Sequence, residues 1–205
     1  MVYLIGLAHR EQASLDFQGT PQTEAQKQYA EVLKKTIENL RPSLVAEEYS
    51  TESETENKRR SIAKPIADSL KVEHQFCDPH GEQRRTIGYL GVQELHPQIM
   101  MHDKNWDISP EEAQAKAWAI CIGKYFIRRE RVWLGRIREK SKPEDDVVIF
   151  VLGDGHVDSF ADLLAKEGIK SEVVERHIGV TAEDDALIQN GFQYLKEHPE
   201  CVEEF

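Results

Sequence analysis

The stretch Val147-Val148-Ile149-Phe150-Val151-Leu152-Gly153-Asp154-Gly155-His156 decides the fold. Six uncharged, mostly β-branched residues run from Asp145-Asp146 to Gly153. An apolar run of strand length without a polar face needs cover on both sides, so it reads as a central strand of a largely parallel sheet. The opening Val2-Tyr3-Leu4-Ile5-Gly6-Leu7-Ala8-His9 repeats the pattern: an apolar run, then Gly, two residues and His. With 12 Gly and 8 His in the chain, about half a chance match to Gly-x-x-His is expected. Two matches, each at the exit of a strong strand, therefore carry weight.

Working outward, shorter strands are predicted at 44–48, 72–77 and, as an edge strand, 171–176. Helical spacing marks 23–40, with Ala25, Tyr29, Val32, Leu33, Ile37 and Leu40 on one face. Ser109-Pro110-Glu111-Glu112 carries a capping Ser, Pro at the first position and Glu three after the Ser. It opens a helix that extends to about Lys140. Val157–Lys166, stopped by Gly168, and 181–197, capped by Thr181, are further helices. The charged segment 50–60 reads as a solvated loop or a first helical turn. Pro65 predicts a break in the helical stretch around it. Segment 88–109 shows no period and reads as an irregular insertion. Strands alternating with helices, without an obvious linker, predict one α/β domain over 1–205: a mixed, mostly parallel central sheet flanked by helices.

Composition narrows the function. The chain has 205 residues and is 40% hydrophobic, which supports a full core. Lys+Arg total 26 against 37 Asp+Glu, a net charge of −11. That balance argues against general nucleic-acid binding and against binding to anionic membranes. No apolar run approaches a membrane span. Cys77, Cys121 and Cys201 are few and far apart, as expected of reduced thiols in a cytoplasmic protein; Cys77 reads as a small buried hydrophobe. The N-terminus reads as a strand rather than a signal peptide. A homo-oligomer stays open.

In an open α/β sheet the carboxyl ends of parallel strands form the ligand crevice. Gly6 and Gly153 let the backbone turn or approach a ligand there, and His9 and His156 lie just beyond. Pro42-Ser43-Leu44-Val45-Ala46-Glu47-Glu48 brings carboxylates to a third strand end, and alternation sends one Glu to each face. Glu47 reads as the solvated one. Two His and a Glu are the ligand type of a catalytic zinc site and also suit manganese or cobalt. Arg128 and Arg131 share a helical face, a pair suited to a carboxylate, a phosphate or a developing oxyanion. Asp78 and Arg84, in the cluster 78–85 after the third strand, are candidates for the crevice wall, and Asp154 lies in the second Gly-x-x-His turn. Gly153-Asp154-Gly155 lacks the Lys and the longer glycine frame of a phosphate loop. His96, His102 and Asp103 form a lesser metal candidate on the insertion.

In these residues, GLAH at 6–9, PSLVAEE at 42–48, RRERVWL at 128–134 and VIFVLGDGH at 148–156, the chain resembles the TraB/PrgY, Tiki and GumN-like superfamily. The ChaN and erythromycin-esterase families are its more distant relatives. The family's Glu falls on Glu48, its helical Arg on Arg131 after Glu130, and its Asp after the third strand on Asp78. The resemblance implies that both Gly-x-x-His motifs serve one site. It also implies hydrolase chemistry on an ester, amide or phosphate of a small-molecule or peptide substrate. Tiki-like members imply a divalent metal on His9, Glu48 and His156, with Arg131, assisted by Arg128, on developing charge; erythromycin-esterase-like members imply His chemistry without one. A different class stays open: a non-catalytic sensor or immunity module holding a small anion in the same crevice.

Overall fold

In the computed structural model, residues 1–16, 18–56, 58–102 and 108–203 are described. Asp103 of the lesser metal candidate lies outside them. The strands are β1 (Val2–Leu7), β2 (Ala13–Ser14), β3 (Leu44–Glu47), β4 (Arg60–Ser61), β5 (Glu73–Phe76), β6 (Val148–Gly153) and β7 (Ser171–Ile178). The helices are α1 (Glu24–Leu40), α2 (Thr51–Glu56), α3 (Ala63–Ser69), α4 (Gly81–Thr86), α5 (Val92–His102), α6 (Pro110–Ile120), α7 (Phe126–Lys140), α8 (Val157–Lys166) and α9 (Ala182–Glu197).

The uncharged run becomes β6, buried at every residue and central in a five-stranded sheet of order β5-β3-β6-β1-β7. Every pairing in that sheet is parallel. The expected antiparallel admixture is confined to a separate two-stranded pair, β2 with β4. One face of the sheet packs Ile5, Leu7, Val45, Ile149 and Val151 against Tyr29, Leu33 and Ile37 of α1 and against α3. On the other face Phe150 meets Trp133 of α7 and Phe160 of α8 at ring-centroid distances of 5.4 and 4.8 Å. Covered faces explain why β6 can be apolar throughout.

Local chemistry sets the helix starts. Thr23 and Gln26 form a reciprocal capping box on α1, and Thr181 with Asp184 does the same on α9. Ser109 caps α6 by accepting the Glu112 amide. Pro65 does not break a helix: it sits in the first turn of α3, where a missing N–H costs no helical bond.

The chain forms two compact units. The first comprises Met1–Gly81 and Glu130–Val180; the second comprises Glu82–Arg129 and Thr181–Phe205. The first holds the sheet. In the second, the described part of segment 88–109, expected as irregular, contains α5, with Pro97 inside it. Leu95 and Ile99, four apart, are its buried residues, so packing on that stripe holds a helix that the proline obscures in the sequence. Close helix packing in this unit depends on small residues. A Cβ at Gly123 would press on Val202, and one at Gly191 on Trp118.

Candidate metal centre

The site is built at the carboxyl edge of the sheet, within the first unit. β1 and β6 run parallel with Leu7 opposite Gly153, and β3 lies on the other side of β6 with Glu47 opposite Val151. Each Gly-x-x-His ends in a 3-10 turn, His9–Glu11 and Asp154–His156. The chain thus doubles back and keeps both imidazoles at the strand ends. Glu48, one residue past β3, donates its amide to the Val151 carbonyl at 2.8 Å and is set beside them.

The three side chains converge. His9 Nε2 lies 3.4 Å from Glu48 Oε1, and His156 Nε2 lies 3.8 Å from the same oxygen. One ligand atom from each of the three falls within 4.8 Å of the others, and among the described residues this is the metal-capable group found. A tetrahedral ion about 2.0–2.2 Å from each ligand holds ligand atoms roughly 3.3–3.6 Å apart. The two imidazole–carboxylate separations are close to that. His9, with a side chain 56% exposed, can supply further inward movement by rotation, whereas Glu48 at 0% and His156 at 4% are fixed by burial. Two imidazoles and one carboxylate are also the right donor chemistry for zinc, manganese or cobalt.

Two of the three ligands, Glu48 and His156, are oriented by neighbours. Gly153 donates its amide to Glu48 Oε2 at 2.6 Å, which turns Oε1 towards the imidazoles. His156 Nδ1 lies 2.9 Å from Glu130 Oε1 on α7. A carboxylate only accepts, so Nδ1 carries the proton and Nε2 presents its lone pair to the site. Ser159 donates to the same Glu130 oxygen. The Trp133 ring packs edge-on against His156 at 4.9 Å, and its indole N–H donates to Asp78 Oδ1 at 3.2 Å.

The two glycines have different tasks. A Cβ on Gly153 would collide with the His9 ring, reaching Cε1 at 2.6 Å, so the bare backbone makes space for that ring. A Cβ on Gly6 would meet Asp154 Oδ1 and Val157 Cγ2, both at 2.7 Å. Asp154 is a structural bracket: Oδ1 accepts the His177 amide at 2.7 Å, and Oδ2 pairs with Arg176 at 3.3 Å.

Other expected site residues lie elsewhere. Arg131 is exposed, and among the described residues no hydrogen bond or ion pair ties it to the cluster; the position its frame suggested is taken by Glu130, which is fully buried. Helical geometry is the reason, because Glu130, Trp133, Leu134 and Ile137 share one buried stripe and Arg131 falls off it. Arg84 and Arg128 belong to the second unit. There Arg84 pairs with Glu94 at 2.9 Å, and Arg128 donates to the Ile87 and Gly88 carbonyls at 3.3 and 3.4 Å. Asp78, the crevice-wall candidate, accepts the Trp133 indole N–H. His96, also in the second unit, is placed by its Nε2 beside the Pro110 carbonyl at 3.3 Å. Glu47 is not solvated but fully buried, where Ser61 donates to it and His74 Nε2 lies 2.7 Å away.

No protein-family model, curated protein or solved structure matches the chain. No described helix is long and apolar enough to cross a membrane.

Proposed function

We propose that this protein is a metal-dependent hydrolase of the TraB/Tiki kind, acting in the cytoplasm on an ester, amide or phosphate bond of a small-molecule or peptide substrate. The observation that carries the reading is the convergence of His9, Glu48 and His156, with a buried carboxylate behind one imidazole. Glu130 behind His156 is the carboxylate–histidine arrangement that metal sites use to fix a tautomer and raise ligand basicity.

His9, Glu48 and His156 hold the ion; when bound, it polarises the scissile carbonyl or phosphoryl group and acidifies water. The chain's own residues prepare that chemistry. Glu130 keeps the proton on His156 Nδ1, and the Gly153 amide keeps Glu48 from turning away. Trp133, Phe150 and Phe160 form an aromatic wall that excludes water behind His156. His9 is the solvent-facing edge, where a substrate enters.

The test is metal analysis of the purified protein combined with hydrolysis assays on ester, peptide and phosphate panels. The expected result is about one divalent ion per chain and a turnover that disappears in His9→Ala and His156→Ala. Turnover that persists unchanged in both variants overturns the reading.

A further inference from the structure

The first unit contains a pocket of about 370 Å³ beside edge strand β5, within the range of small-molecule sites. Its wall includes Lys64, His74, His80, Arg136, Thr51 and Phe76; among the described lining residues none is a carboxylate, and the carboxylates that pair with Lys64, His74 and His80 stand behind the wall. Four cation-capable side chains facing one concavity are notable in a chain of net charge −11. We infer that this pocket binds a phosphorylated small molecule, with its phosphate held by Arg136 and Lys64.

Two of the four groups are held in place. Arg136, which lines the pocket, is tethered by its Nη1, which donates to the Phe76 and Asp78 carbonyls at 3.3 and 2.9 Å. His74 has a side chain only 5% exposed and is anchored on buried Glu47. The other two can swing. Lys64 pairs with Asp68 at 2.7 Å, and His80 with Glu52 at 2.8 Å, all partly exposed. Surface pairs of this kind contribute little and yield to a dianion. The Thr51 hydroxyl adds a neutral donor, and phosphate, with several acceptor oxygens, can use all of these at once. Phe76, braced edge-on by His74 at 4.7 Å and tilted against Tyr49 at 5.9 Å, gives the remainder of the ligand a rigid apolar wall.

This inference does not depend on the metal reading, and the experiment separates the two. The full chain, freed of metal by chelation, is titrated with inorganic phosphate at low ionic strength and followed by backbone amide NMR. Saturable shifts centred on residues 51, 64, 74–76 and 80 are expected, with acetate binding more weakly. Arg136→Gln lowers phosphate affinity about tenfold or more and Lys64→Ala about threefold, whereas His9→Ala and Lys34→Ala leave it unchanged. Shifts that do not saturate, that centre elsewhere, or that acetate produces equally well overturn the inference. So does wild-type affinity in a folded Arg136→Gln. Should Arg136→Gln unfold because its carbonyl tethers are lost, Lys64→Ala/His80→Ala decides, and undiminished affinity there overturns it.

Discussion

His156 donates its Nδ1–H to Glu130 Oε1 across 2.9 Å and keeps the proton, and both side chains are buried. This is the relationship on which the candidate centre turns. A buried imidazole with one nitrogen committed to a carboxylate has only the other nitrogen to offer, and that nitrogen faces Glu48 and His9.

Glu130→Gln therefore tests the centre without touching a ligand. The amide can still accept from Nδ1 through its oxygen, but the charge that raises the imidazole's basicity is gone. Metal affinity falls about 10- to 100-fold, the range for loss of such a partner. Competition with a chromophoric chelator measures it. Unchanged affinity in a folded variant means that Glu130 does not support a metal ligand.

Metal addition stabilises the fold if the three ligands act together. At a free ion concentration 100 times Kd the gain is about 2.7 kcal/mol. It is read as a rise in Tm with zinc, manganese or cobalt that is absent in His9→Ala. His9 is the right choice for the control: its side chain is more than half exposed, so its removal leaves the core intact. A rise of equal size in wild type and variant places the ion elsewhere.

Much of this was legible in the sequence, and the exceptions have physical causes. The run 147–152 announced β6 because only a strand covered on both faces tolerates six apolar residues in succession. The two Gly-x-x-His motifs pointed to His9 and His156 because two matches, each at the exit of a strong strand, exceed the chance expectation. Glu130 was missed because an acidic residue between arginines reads as surface charge. The available signal was its three- and four-residue spacing to Trp133 and Leu134, which puts a carboxylate on an apolar stripe. Glu47 was read as solvated because strand alternation says which face a side chain takes, not whether β4 and β5 supply Ser61 and His74 to meet it. Helix α5 was hidden by Pro97, which tertiary packing overrides.

Arg131 and Glu130 make opposite predictions although they are neighbours. Arg131→Ala leaves stability within about 0.5 kcal/mol of wild type, as usual for an exposed side chain, and leaves metal affinity unchanged. A large loss of metal affinity in Arg131→Ala, measured beside Glu130→Gln, would reverse the assignment of these positions.

Thiol chemistry checks the cores of both units. Cys77, Cys121 and Cys201 are buried. Burial raises the Cys77 thiol well above its ordinary value and pushes Cys121 up to about 12. Both thiols therefore stay protonated and slow at neutral pH, since the thiolate is the reactive form. A thiol-specific chromogenic disulfide reacts slowly with the native protein and rapidly with three groups after denaturant is added. Fast reaction of all three in the native state contradicts the packing around them.

The paired glycine substitutions separate site from fold. In Gly153→Ala the new methyl meets the ring of His9, a side chain exposed enough to move aside. The protein folds with near-native stability, but His9 is driven off its position and metal affinity drops. In Gly6→Ala the methyl meets Val157 and Asp154, a buried valine and a carboxylate fixed by the His177 amide. Neither can retreat without disturbing the turn that carries His156, so overpacking costs about 1–3 kcal/mol of stability. Chemical denaturation and metal titration on the two variants read these outcomes independently. Gly153→Ala losing stability as Gly6→Ala does, with metal binding intact, would show that the glycine at the end of β6 serves the sheet rather than the imidazole lying over it.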